Sequence, residues 1–183
     1  MKQSLDKAFI SAAATTLRDG YLPKIKEAVN LLTEEELWQA DGEATNSVGN
    51  LLLHLSGNVR QYILSGVGGK PDQRNRPLEF SIKGGPSKAV LLSELEKTVL
   101  EAFHVLATCD QHCLTETRRI QDKDQVLLTA VFHCVEHFAY HAGQIIYVVK
   151  ARRHQRFGWY KYLDPAAPGA DQAELRPLGS VAD

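Results

Sequence analysis

The segment from about Lys123 to Arg152 constrains the fold most. Leu127, Ala130, Val131, Cys134, Phe138, Ile145 and Val148 fall at helical spacing, marking one apolar stripe of a long helix. Such a stripe must be buried against other elements, and the rest of the chain supplies them at the same period. Residues 4 to 32 read as a long Ala-rich helix with a bend at Gly20 to Pro23. Thr33 with Glu36 forms a capping box that opens a short helical turn through Leu37 and Trp38, and Asp41-Gly42 signals a turn. Asn46 or Ser47 caps a second helix to about Ser65, with Val48, Leu51, Leu52, Leu55, Val59, Tyr62 and Ile63 as its core stripe. Ser87 caps a third helix to about Thr108, with Val90, Leu91, Leu95, Leu100 and Phe103 apolar. Residues 66–86, rich in Gly, Pro and charge, read as a long loop, and residues 109–121 as a connector. No strand-rich pattern is present. Four long amphipathic helices predict an all-α four-helix bundle over residues 1–163, with 164–183 as a loosely ordered tail.

The chain is 183 residues long and 44% hydrophobic, enough for one sizeable core. A net charge of −1 argues against nucleic acid or an anionic membrane as partner, since both require a basic face. No apolar run reaches the ~20 residues of a membrane span. The N-terminus lacks the apolar region of a signal peptide, and three cysteines are too few for a disulfide framework. These features predict a reduced, cytoplasmic protein.

The fourth helix carries His133, His137 and His141, four residues apart. Two imidazoles at that spacing can grip one metal ion. All three cannot, because His133 and His141 lie about 12 Å apart at ~1.5 Å rise per residue. The pair is therefore His133/His137 or His137/His141. Periodicity favours the second, because His141 falls within the apolar stripe and His137 on its edge, while His133 is rotated further out. A third ligand must come from elsewhere. His104, His112 and His154 lie near helix ends or in a connector. His54 lies within the apolar run Leu51-Leu52-Leu53-His54-Leu55, with Asn50, Asn58 and Gln61 near it. A buried imidazole there needs a partner, and a metal ion or a backbone carbonyl serves equally well on spacing alone.

Other patterns carry less. Cys109, His112 and Cys113 lack a second matching pair and read as a helix end with part-buried thiols. His133-Cys134-Val135-Glu136-His137 fits a protease pattern with Glu136 as base, but no downstream carboxylate outside the tail completes it. Gly66 to Lys70 lacks the spacing of a phosphate loop.

The segments Asn46 to Leu55 and Glu136 to Ile145, taken together, resemble the DinB/YfiT-like metalloenzymes: one histidine on the second helix and His-Xaa3-His-Xaa-Gly-Gln on the fourth. The similarity runs through Arg74 to Phe80, covers about residues 5–152, and looks nearest to the DUF1572 branch. The resemblance implies a four-helix bundle with a divalent ion, zinc or nickel, held by His54, His137 and His141. Some relatives are thiol S-transferases that join a low-molecular-weight thiol to a small electrophile, and family members are commonly dimers. A homodimer is therefore expected, with Leu53 as a candidate for extra buried surface. The ligand set leaves one coordination position open, as catalytic sites do. A metal-dependent hydrolase and a non-catalytic metal-binding bundle are the alternatives. Asn58 and Gln144 are expected to hold the ligands from behind.

Overall fold

The computed structural model describes residues 4–160, and the expected tail at 164–183 lies outside them. The described chain is mostly helical. Helix α1 (Leu5–Thr15) starts where the Ser4 side chain accepts the Lys7 N–H. It passes through a π-helical segment, Thr16–Tyr21, into α2 (Leu22–Asn30). The expected irregularity at Gly20 to Pro23 is thus a widened turn rather than a break. Pro23, which has no N–H to donate to the preceding turn, follows directly on this widened turn. Helix α3 (Glu34–Trp38) has the full Thr33/Glu36 capping box.

Ser47 caps α4 (Val48–Val59), and the Asn50 side chain reaches back to the Ser47 N–H. A π-helical segment, Arg60–Val67, continues α4. Helix α6 (Lys88–Thr108) is capped by Ser87, and α7 (Leu127–Arg153) closes the described fold. Helix α4 packs on both α6 and α7, α2 packs on α7, and α1 packs on α6. The shared core includes Ile25, Leu52, Leu55, Ile63, Leu95, Leu127 and Phe138, all essentially inaccessible. Side chains of this kind each contribute roughly 1.5–3 kcal/mol when fully buried. No helix among the described residues is long and apolar enough to cross a membrane.

Three segments differ from the sequence expectation. The loop at 66–86 contains a further helix, α5 (Arg76–Ser81), capped by the Asn75 side chain. The 109–121 connector holds a 3-10 turn, Gln111–Thr115, and then a hairpin. Its strands β1 (Thr117–Ile120) and β2 (Lys123–Val126) pair antiparallel, Thr117 opposite Val126 and Ile120 opposite Lys123. Helix α7 therefore begins at Leu127 rather than Lys123. Lys123 to Val126 pair across the hairpin, leaving no room for a fourth-helix start there. The apolar face of α6 is also turned from the expected one. Leu91, Leu92, Leu95, Val99, Ala102 and Leu106 are buried, whereas Val90 and Leu100 are half exposed.

Candidate metal centre

His54 projects from α4 and is 3% exposed. His137 and His141 project from successive turns of α7. The helix contact brings all three together. The Nε2 atoms of His54 and His137 are 3.0 Å apart, and those of His141 and His137 are 3.2 Å apart. One ligand atom from each histidine lies within 4.8 Å of the others, the only such trio of metal-ligating side chains among the described residues. Metal–nitrogen bonds of ~2.0–2.1 Å in a tetrahedral site place ligand nitrogens roughly 3.3 Å apart, and the two spacings to His137 match that value.

The far side of each ring decides what its Nε2 can do. His54 Nδ1 lies 2.7 Å from Glu79 Oε2, and His141 Nδ1 lies 2.6 Å from Gln144 Oε1. His54 Nδ1 also lies 3.0 Å from Arg74 Nη2, but that N–H is taken by Glu79 Oε2 at 2.9 Å; with Nδ1 donating to the carboxylate, which only accepts, His54 Nε2 carries a lone pair. The Gln144 carbonyl fixes His141 in the same way. With lone pairs on the Nε2 atoms of His54 and His141, the His137 Nε2 between them either donates its own proton or shares a positive centre with them. His137 Nδ1 is buried and has no hydrogen-bond partner among the described residues.

The electrostatics favour neutral rings, the form that ligates metal. Burial, reinforced by the neighbouring His141, His54 and His133 and by Arg74, pushes the His137 imidazole down to about 3. Burial also lowers His141, against the opposing hydrogen bond that it donates to Gln144 Oε1.

Behind His54 stands a buried polar network. Glu79 takes Arg74 Nε at 2.7 Å on one oxygen and Arg74 Nη2 at 2.9 Å on the other. Burial pushes the Glu79 carboxyl up, but the hydrogen bonds from Arg74 and His54 outweigh it, and the net shift is below the usual carboxylate range. Arg74 Nη1 donates to Gln61 Oε1 at 2.9 Å, and Gln61 Nε2 donates to Asp72 Oδ2 at 2.7 Å. The Asn50 amide donates to the backbone carbonyls of Glu79 and Ile82, which binds α5 to α4. Gly57 makes this approach feasible, because a Cβ there would collide with the Glu79 carboxylate and Arg74.

Of the residues singled out from the sequence, Gln144 stands where it was expected. Asn58 is buried beside the histidines, but its amide hydrogen-bonds none of them, and Gln61 serves Arg74 rather than His54. His133 stays outside the trio, its ring 4.7 Å from Tyr62 and 5.4 Å from His137. His104, His112, His154 and Glu136 are exposed. Cys113 is buried, and burial together with Cys109 pushes its thiol up to about 12. Glu79 was not foreseen. Asn75-Arg76-Pro77 reads locally as a cap and first turn, but the place of Glu79 beside His54 is set by the Asn50 contact between α4 and α5.

A cavity of about 430 Å³ opens beside the histidines and is lined by His54, His137, Asn58 and Gln121 among others. A second, of about 620 Å³, lies between α4, α5 and α6, and Leu53 lines it.

No curated protein matches this chain. One family does, described as "Protein of unknown function (DUF1572)", and its match spans residues 4–162. The two helices that carry the histidines and the segment that carries Glu79 all fall within that span, and the chain belongs to the DUF1572 family.

Proposed function

We propose that this protein is a divalent-metal-dependent enzyme of the DinB/YfiT-like type, a four-helix bundle holding zinc or nickel on His54, His137 and His141. The observation that carries the reading is the convergence of three Nε2 atoms, two of them backed by acceptors at 2.7 and 2.6 Å. When bound, such an ion lowers the pKa of a thiol or water placed beside it. The chain's own residues do the rest. Glu79 and Gln144 hold two rings in one tautomer, burial keeps His137 and His141 neutral, and Arg74 keeps Glu79 ionised. The cavity against His54 and His137 favours a catalytic role over a sealed structural site. Transfer of a low-molecular-weight thiol to a small electrophile is the reaction favoured by the family resemblance. Water activation is the second reading. A reducing cytoplasmic setting belongs to this proposal, with Cys109, Cys113 and Cys134 as free thiols. So does a homodimer, for which the exposed Phe132, Tyr140 and Tyr147 on α7 offer apolar surface.

The test is elemental analysis of protein purified without a metal-affinity column, followed by a thiol-plus-electrophile screen. One ion per chain is expected. Substituting His54, His137 or His141 with Ala abolishes or strongly weakens binding, and His133→Ala does not. Full metal retention in His137→Ala rules the site out.

A further inference from the structure

The cavity beside the histidines has a polarity that the metal site alone does not require. Two arginines, Arg74 and Arg76, line it, and among the described residues no carboxylate does. Arg74 is neutralised by Glu79. Arg76 is exposed, makes no ion pair among the described residues, and lies with its guanidinium 5.1 Å from the centre of the Phe80 ring. The cavity therefore carries one uncompensated fixed cation.

Two amides complete it. Asn58 is 3% exposed, faces the cavity and makes no hydrogen bond among the described residues, and its Oδ1 is fully buried. A buried amide without a partner is costly unless something else supplies one. Gln121 comes from the hairpin turn. Its Oε1 accepts the Tyr62 hydroxyl at 3.2 Å, which leaves the Nε2 donor without a partner among the described residues. The turn that presents it is strained. Gln121 and Asp122 have φ of 53° and 60°, left-handed values that a two-residue hairpin turn requires and that Asn-Gly normally supplies. Strain of this sort persists where the placement serves a site.

We infer that this cavity is the substrate subsite and that it takes a small molecule bearing a carboxylate. The inference rests on the metal reading above only for what happens next to the histidines. The Arg76 guanidinium and Gln121 Nε2 hold the carboxylate, and the Asn58 amide hydrogen-bonds a polar group nearer the histidines. A cavity of about 430 Å³ is at the small end for ligand pockets, so the occupant is a small metabolite rather than a peptide or polymer. A single fixed cation suits a monoanion better than a phosphate dianion.

The test uses N-acetylglycinate and its uncharged counterpart N-acetylglycinamide as probes, read by NMR shifts of the Asn58 and Gln121 side-chain amides. Wild type is expected to bind the acid about tenfold tighter than the amide, as a charge-assisted contact warrants. Arg76→Gln is expected to remove that preference with melting temperature and zinc affinity unchanged, whereas Arg118→Gln, at an exposed arginine elsewhere, retains it. Asn58→Ala is expected to weaken both probes. Equal or absent binding of the two probes overturns the inference, and so does a preference that survives Arg76→Gln. Inorganic phosphate binding tighter than N-acetylglycinate through Arg76 overturns the carboxylate assignment. Each titration is run on chelator-treated and on zinc-supplemented protein. An Arg76-dependent preference in protein that binds no zinc supports the subsite and defeats the metal reading alone.

Discussion

Replacing Glu79 with Gln probes the centre from behind, at a residue outside both the histidine trio and the lining of the cavity beside it. The carboxylate receives Arg74 Nε at 2.7 Å, Arg74 Nη2 at 2.9 Å and His54 Nδ1 at 2.7 Å. Gln keeps one carbonyl oxygen but turns the other acceptor into a donor, which must then face an Arg74 or His54 N–H. The Arg74 side chain is only 3% exposed, so its charge stays inside the protein without a counter-charge. Removing one member of a buried ion pair costs ~3–5 kcal/mol. The remaining Gln61 contact and the adjacent cavity soften this, and about 2–3 kcal/mol is expected here. Metal affinity should fall roughly 10–100-fold, the usual effect of losing the carboxylate behind a ligating histidine. Urea unfolding of chelator-treated protein reads the first quantity, and competition against a chromophoric zinc chelator reads the second. The double variant Glu79→Gln/Arg74→Met separates them. It removes the stranded charge and should regain stability, but it cannot restore the acceptor for His54, so affinity stays low. If Glu79→Gln unfolds within ~0.5 kcal/mol of wild type and binds zinc within twofold, the network has neither role.

Two further outcomes follow from the same chemistry. An unfolded histidine titrates near 6.5, whereas His137 in the fold is held down to about 3. Below pH 6.5 the unfolded chain takes up a proton that the folded chain refuses, so metal-free protein loses stability as pH falls from 6.5 towards 3. After allowance for partial exposure the loss is about 1 kcal/mol between pH 7 and 5, and His141 acts in the same direction. A melting temperature of chelator-treated protein that rises on acidification to pH 5 contradicts this. Added metal should raise the melting temperature at about pH 7.5, with a gain that shrinks sharply towards pH 5, and His54→Ala should gain little at either pH. The homodimer should appear as twice the chain mass in light scattering at micromolar concentration, and a monomer mass removes it.

The parts of this molecule that were legible in its sequence are those whose cause is local. Ser47, Ser87 and Thr33 cap helices through their own next turns, and the core stripe of α4 follows from period alone. The His137/His141 pair and Gln144 share one helix, so their relation is fixed by spacing. The hairpin was not legible, because its strands are short and mostly exposed and its turn lacks the Gly that marks such turns. Helix α5 was hidden in a Gly- and Pro-rich segment and is held by a tertiary contact, the Asn50 amide on the carbonyls of Glu79 and of Ile82 just past its end. The Glu79–His54 pair depends on that contact too. The exposed side of α6 could not be told from its buried side while Val90 and Leu100 matched the helical period as well as Leu91 and Leu95 did.

His54 and His137 are 83 residues apart in the chain, yet their ring nitrogens are 3.0 Å apart. An ion held by both would close a loop of that length, like a removable staple. By the chain-entropy argument used for disulfides, joining positions so distant restricts the unfolded chain by roughly 4.5 kcal/mol. His137 and His141 need only one turn of helix to present their nitrogens, so they can capture an ion before α4 arrives. The ion would then hold one jaw of the staple open until the long loop closes, and a chelator added during refolding should slow docking of α4 more than formation of α7.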